Sequence, residues 1–285
     1  MSTVESTNMN RNNVKEMHAT PSAAMRLSLI SINAALYAIA IAVTSPIPTP
    51  WGVGHFRPGV VIPAFFTVVF GPIVGGVGAA IGCFLGDFAL SFFGLTTPLL
   101  SLIAGVPGNF AGFYVLGWLM SKRRSVNSFV ISSFVALSVG NLTAALGVLA
   151  YFWFVVPSWA SWPLSLKIAV VSGLTLFWVV TMVIFVVPLV PIIVSYVEPS
   201  LRRMGIKGVL NLTWNDSFSL IKSSGIIALI LVTIYGFVSI TPGGEKIFAG
   251  VLPPEILLIG SAVVFVSGLL FAYLTKKFER FSSSK

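Results

Sequence analysis

The chain has 285 residues, of which 56% are hydrophobic and only 9% charged, and its mean hydropathy is +0.97. An ordinary soluble domain is about 25% charged, so these figures exclude one and point to an all-α polytopic protein embedded in the lipid bilayer. The net charge of +9, from 17 Lys+Arg against 8 Asp+Glu, reports orientation in such a chain before it reports nucleic-acid binding, and no RNA or DNA motif is present.

Residues 1–22 are polar and rich in Asn. They lack the basic start and short apolar stretch of a cleavable signal peptide and are expected to form a disordered cytoplasmic tail. Windows of about 20 apolar residues then place helices near 24–44, 58–70, 72–92, 98–120, 127–156, 167–194, 218–240 and 254–275. The first carries Ala34, Ala38 and Ala42 at spacing four, a smooth face for close helix contact within this chain or with another. In the external loop that follows, Pro46, Pro48 and Pro50 add stiffness and Gly52 and Gly54 allow movement. Trp51 there suits the membrane interface or a ligand lid.

The stretch from Gly54 to Leu90 holds two apolar segments split by Gly71-Pro72. Pro72 donates no backbone hydrogen bond and pushes Gly71 out of the helical region. A single straight helix from Arg57 to Asp87 would run about 45 Å at ~1.5 Å per residue, longer than the ~30 Å hydrocarbon core. The segment therefore enters and leaves, and Arg57 and Asp87 finish on the same side. At about 20 Å the first of these two helices is short for a crossing, and either stops short or is extended by Phe56-Arg57-Pro58. On the second, Gly78, Gly82 and Gly86 share one face, for helix packing or for a sliding or docking surface.

The fourth helix contains Asn109, just after Pro107 and Gly108, and the fifth contains Asn141. Amides at this depth need partners, which means bonding helix to helix or lining a solute cavity. Tyr151, Trp153, Trp159 and Trp162 gather where the fifth helix ends, as an interfacial belt or a stacking pocket. The sixth adds Thr175 and Trp178 before Pro188 and Pro191, which are expected to end or kink it. A basic polar connector spans 198–217, and the last two helices look like a structural or docking appendage.

Positive charge tests this arrangement independently. With the amino end inside, the basic clusters at 11–26, 122–124, 202–222 and 276–285 all fall on the cytoplasmic side, leaving Arg57, Lys167 and Lys246 outside. Both termini are then cytoplasmic. The expected organisation is a tail (1–22), a six-helix membrane body (23–197), the connector (198–217), an additional transmembrane pair (218–276) and a second cytoplasmic tail (277–285).

No catalytic constellation emerges: there is no P-loop or HExxH, the histidines are His18 and His55, and Asp87 is the sole carboxylate of the six-helix body. The single cysteine, Cys83, rules out a disulfide or a Cys-based metal site within one chain. The chain is accordingly expected to be no enzyme and to need no metal or cofactor. A secondary transporter usually carries several buried ionisable groups for ion coupling, and here there is one. What remains is a solute-binding body without its own engine.

The run FRPGVVIPAFFTVVFGPIVGGVGAAIGCFLGD, following an alanine-striped first helix, resembles the substrate-binding S components of energy-coupling factor (ECF) transporters over roughly residues 24 to 195. The resemblance implies a six-helix body that binds a vitamin or related micronutrient from outside, beneath the loop after the first helix. It also implies partners, a coupling transmembrane subunit and two cytoplasmic ATPase subunits, that make the body topple and release its solute inward. The family's alanine motif, a docking surface for the coupling subunit, falls on Ala34 and Ala38, with Ala42 extending it. The connector and the last two helices depart from the six-helix pattern.

Arg57 and Asp87 are expected to bound the solute site and to pair when it is empty, or to form a purely structural ion pair. Arg57 suits a carboxylate or phosphate held bidentately. Asn109, Asn141 and Trp178 are further candidates for polar and stacking contacts. A stand-alone transporter or channel, and a scaffold that binds protein and no solute, remain open alternatives.

Overall fold

The computed structural model describes residues 22–45, 57–203, 217–240 and 255–282. Among them the chain is helical, with no strand: α1 (Ala23–Thr44), a 3-10 turn (Pro58–Val60) running into α2 (Val61–Phe70), α3 (Pro72–Ser91), α4 (Pro98–Lys122), α5 (Val126–Val155), α6 (Leu164–Arg203), α7 (Ser217–Ile240) and α8 (Glu255–Ser282). A single helical turn, Pro157–Ala160, links α5 to α6. Seven of these helices are long and apolar enough to cross a membrane, and Pro58–Phe70 is the shorter apolar one. The expected 1–22 tail (apart from Ser22), the external loop with Trp51 and His55, most of the connector and the last external loop lie outside the described residues.

Phe56 lies outside the described residues, and the short second helix is led in by the 3-10 turn Pro58–Val60, with Arg57 as its cap at φ −125° and ψ 57°. Its partner begins one residue after it ends. Gly71 has φ +94°, a conformation costly for a residue with a Cβ, and its N–H still closes α2 onto Thr67 O at 2.9 Å. Pro72 then opens α3 at a position where no N–H is missed.

Close contact between α1 and α3 follows from small residues on both. A Cβ on Gly78 would lie 2.3 Å from Asn33 Nδ2, one on Gly82 2.7 Å from Ala34 O, and one on Gly86 2.8 Å from Ile41 Cβ. The two helices therefore run parallel with their backbones nearly touching. Asn33 Nδ2 fastens the crossing by donating to Val74 O at 3.0 Å. The glycine face of α3 is thus covered by α1, which is the packing reading rather than a sliding surface.

Of the two readings open for the Ala34, Ala38, Ala42 stripe, contact within this chain is seen at its start: Ala34 is 3% exposed, and the carbonyls of Ala34 and Ala38 lie over Gly82 and Gly86. Glycines every four residues on α3 leave a groove that receives the Asn33, Tyr37 and Ile41 side chains and the Ala34 and Ala38 carbonyls of α1. Ala38 and Ala42 keep partial exposure. One expectation needs correction in part: of the two outcomes expected at Pro188 and Pro191, an end to α6 does not occur, since the helix continues through them and Pro199 to Arg203. Val183, Val186, Val187, Val190 and Val194 are buried along its length, and packing of this kind holds a membrane helix through a missing backbone bond. At the far end α8 likewise continues to Ser282, past residue 276.

The last two helices are continuous with the body. Ser223 on α7 donates to Asn127 Oδ1 on α5, a Cβ on Gly260 of α8 would meet Val180 Cγ1 of α6 at 2.5 Å, and one apolar core runs from Tyr37 through Val180 to Leu231 and Phe271. They buttress α5 and α6, the two helices that carry Asn141 and Trp178.

Candidate functional site

Helix α4 supplies one wall of a cavity inside the body. Thr97 caps it, accepting from Leu100 N–H at 3.2 Å, and Pro98 occupies its first turn. Its second turn, Ser101–Gly105, is wound as a π-helix, with Val106 N–H reaching back to Ser101 O. Pro107, which has no N–H to give, follows immediately, so the regular bonding cannot be kept through this stretch. The widened turn fits because α5 offers Gly147 opposite: a Cβ there would lie 2.5 Å from Ile103 O.

Further down, α4 and α5 cross on glycine. A Cβ on Gly140 would lie 2.8 Å from Gly112 Cα and 2.9 Å from Gly108 O. Close approach at this point closes one side of the cavity, while α6 lines it with Trp178, Met182 and Val186.

Asp87 enters from α3 and is 5% exposed. Its Oδ2 accepts from Ser101 Oγ at 2.7 Å and from Cys83 Sγ at 3.4 Å, and Gly105 makes room for it, since a Cβ there would lie 3.1 Å from the same oxygen. Arg57 is partly buried, with Cζ 5.9 Å from the centroid of the Trp178 ring. The direct pairing expected of Arg57 and Asp87 is not formed: among the described residues Asp87 takes its hydrogen bonds from Ser101 and Cys83, and Arg57 stands over Trp178. The two charges remain near enough to act on each other electrostatically. The physical reason is that the π-turn delivers a hydroxyl to Asp87 while the start of α2 directs Arg57 toward α6.

Asn109 bridges helices as well as lining the cavity. Its Oδ1 accepts from Tyr37 OH at 2.8 Å and its Nδ2 donates to Gly105 O at 2.9 Å. Asn141 is 6% exposed, with Nδ2 3.5 Å from Met182 Sδ. Since Tyr37 is fully buried, Tyr37→Phe is expected to leave Asn109 Oδ1 without its donor and to lower thermal stability by about 1 kcal/mol. Melting of the purified protein checks this, and an unchanged melting temperature would show the bond to be idle.

All five residues singled out in the sequence, Arg57, Asp87, Asn109, Asn141 and Trp178, line this one cavity. It offers about 100 Å³ to the centres of water-sized molecules, and because about 10–15 Å³ on that measure holds one water, the space has room for a small organic molecule. Its lining on α5 extends from Val148 to Ser133, about 22 Å at ~1.5 Å per residue. The cavity is therefore a slot along the bundle axis, with its charged groups toward the end where α2 begins and α3 finishes.

The tryptophans after α5 take no part in it. Phe152, Trp159 and Trp162 stack on one another at centroid distances of 4.5 and 4.1 Å, and Lys167 Nζ sits 3.9 Å from the Trp153 centroid while donating to Ala160 O at 3.0 Å. Thr175 turns back onto Val171 O. Sequence reasoning missed Ser101, Ser133, Met182 and the glycines of the α4–α5 crossing. The small residues at spacing four, Gly108 with Gly112 and Gly140 with Ala144, were a readable signal for that crossing. Nothing local marked Ser101 as the partner of Asp87.

A family model described as the S component of the ECF-type riboflavin transporter matches residues 23–198. No curated protein and no solved structure matches.

Proposed function

The chain belongs to the S-component family of ECF-type transporters, non-enzymatic substrate-binding membrane subunits, and from that premise we propose that it captures riboflavin, or a close flavin relative, from outside. The observation that carries this reading is the axial slot in which Arg57, Asp87, Asn109, Asn141 and Trp178 converge. A flat, fused aromatic ring bearing a hydroxyl-rich chain suits such a slot. Trp178 offers an indole face for the ring, and Arg57, Asp87, Thr96 and Ser101 supply donors and acceptors for the chain.

Binding from the outer side is supported by the charge pattern, which favours cytoplasmic termini and, with them, an outward mouth for the slot. Release inward needs work that this body has no evident means to perform, since the titratable groups of the slot are Arg57 and Asp87. The energy is proposed to come from a coupling transmembrane subunit and two cytoplasmic ATPase subunits. Docking to that coupling subunit would use the lipid-facing side of α1, where Ala38 and Ala42 are partly exposed, rather than the buried Ala34.

Mass spectrometry of small molecules released from the purified full-length protein is expected to find riboflavin or a relative, and titration with riboflavin is expected to quench its fluorescence by stacking. Accumulation of riboflavin against a gradient by the lone chain in sealed vesicles would overturn the need for a motor. A wild-type protein that neither retains nor binds a flavin would overturn the substrate.

A further inference from the structure

Hydroxyls within membrane helices normally bond to the carbonyl one turn earlier, and this chain follows the habit: Thr67 to Pro63 O at 2.6 Å, Ser138 to Phe134 O at 2.8 Å, Thr143 to Val139 O at 2.9 Å and Thr181 to Phe177 O at 2.8 Å. Ser133 departs from it. It is 0% exposed, its Oγ has no hydrogen-bond partner among the described residues, and it lines the slot. Further along α5, Ser138 and Thr143 are satisfied, and Ser133 is the α5 hydroxyl that is fully buried, unpartnered and on the slot.

Ser133 marks the inner end of the slot. Around it the lining is apolar, with Phe113, Leu116, Ala136, Leu137 and Val186, and Asn141 lies eight residues along the same helix, about 12 Å away at ~1.5 Å per residue. A hydroxyl left without a partner in such surroundings raises the free energy of the protein, and a ligand atom that bonds to it removes that cost.

We propose, resting on the solute-binding reading above, that Ser133 is a specificity-determining residue whose hydroxyl bonds a heteroatom on the flat end of the ligand, which enters first, while the hydroxyl-rich end stays by Arg57. Apolar walls select the ring, and the single hydroxyl rejects a ring of the same shape that has no heteroatom at that edge. This is the asymmetry by which a polar group buried in a pocket excludes analogues that cannot satisfy it.

The test is riboflavin titration of the purified full-length protein, followed by ligand fluorescence, alongside melting without ligand. Ser133→Ala is expected to weaken binding about tenfold while the melting temperature of the ligand-free protein stays level or rises, because an unsatisfied hydroxyl has been removed. Ser133→Cys, of similar size but a weaker donor, is expected to fall between the two. Unchanged affinity in Ser133→Ala overturns the proposal, and so does a loss of affinity matched by a lower melting temperature, which would make Ser133 structural. A wild-type protein that binds no riboflavin overturns the substrate reading and this one with it. That failure is told apart because the wild type is then silent as well.

Discussion

Arg57→Ala is expected to weaken riboflavin binding by about 100-fold or more while the ligand-free protein remains folded. A hydrogen bond to a charged group contributes about 1.5–3 kcal/mol, and about 1.4 kcal/mol is tenfold in affinity, so losing the guanidinium's contacts alone reaches that range. Arg57 makes no hydrogen bond or ion pair that holds the helices together among the described residues; its contact is the Trp178 face at 5.9 Å. Removing it therefore costs the fold little. Arg57→Lys separates charge from shape: it keeps the positive charge near Asp87 but loses the planar fork and the stacking surface, and an intermediate affinity is expected. Fluorescence titration of both variants, with melting curves as the control for folding, reads the result. Wild-type affinity in Arg57→Ala would remove this residue from the site.

Gly140→Val is expected to have the largest effect on stability. A Cβ at this position would already lie 2.8 Å from Gly112 Cα and 2.9 Å from Gly108 O, and both obstacles are backbone, which cannot rotate aside. Overpacking in a core costs about 1–3 kcal/mol where side chains can adjust; here α4 and α5 must separate, so the cost lies at or above the upper end. Because Gly108, Gly112 and Gly140 all line the slot, the same separation distorts the binding site, and loss of riboflavin binding is expected to accompany the drop in melting temperature. Gly236→Ala is the control: nothing lies within 4 Å of a Cβ there, and the change is expected to be neutral. If Gly140→Val melts and binds like the wild type, the α4–α5 crossing is looser than described.

The helices were legible in number and approximate position. Gly71-Pro72 was read as a turn because proline forbids the helical conformation before it and the bilayer forbids a 57–87 helix, and the observed φ of +94° at Gly71 is the expected consequence. Pro188 and Pro191 do not end α6, because a local rule about hydrogen bonds weighs less where buried valines fix the helix between neighbours. The alanine stripe of α1 was visible, but which surface covers it was not. Spacing identifies a smooth face, and only the rotation of α1 about its axis decides whether that face meets lipid, a partner or the glycines of α3.

The candidate site divides in the same way. Arg57, Asp87, Asn109 and Asn141 stood out because charged and amide side chains are scarce in the apolar segments of a chain that is 9% charged, and scarcity in lipid is itself a signal; Trp178 was a candidate for stacking. What they bond to was hidden. Asp87 takes Ser101 from across the α3–α4 loop and Tyr37 reaches Asn109 over 72 positions, pairings that no spacing encodes. The number and approximate position of the apolar helices follow from the chain alone, because each depends on the free energy of moving a local segment into hydrocarbon, whereas the far ends of α6 and α8 do not. Arg57 turned onto Trp178 instead of Asp87, the π-turn set against Gly147, and the unsatisfied hydroxyl of Ser133 depend on how helices rotate and approach, and that is decided by all their contacts together.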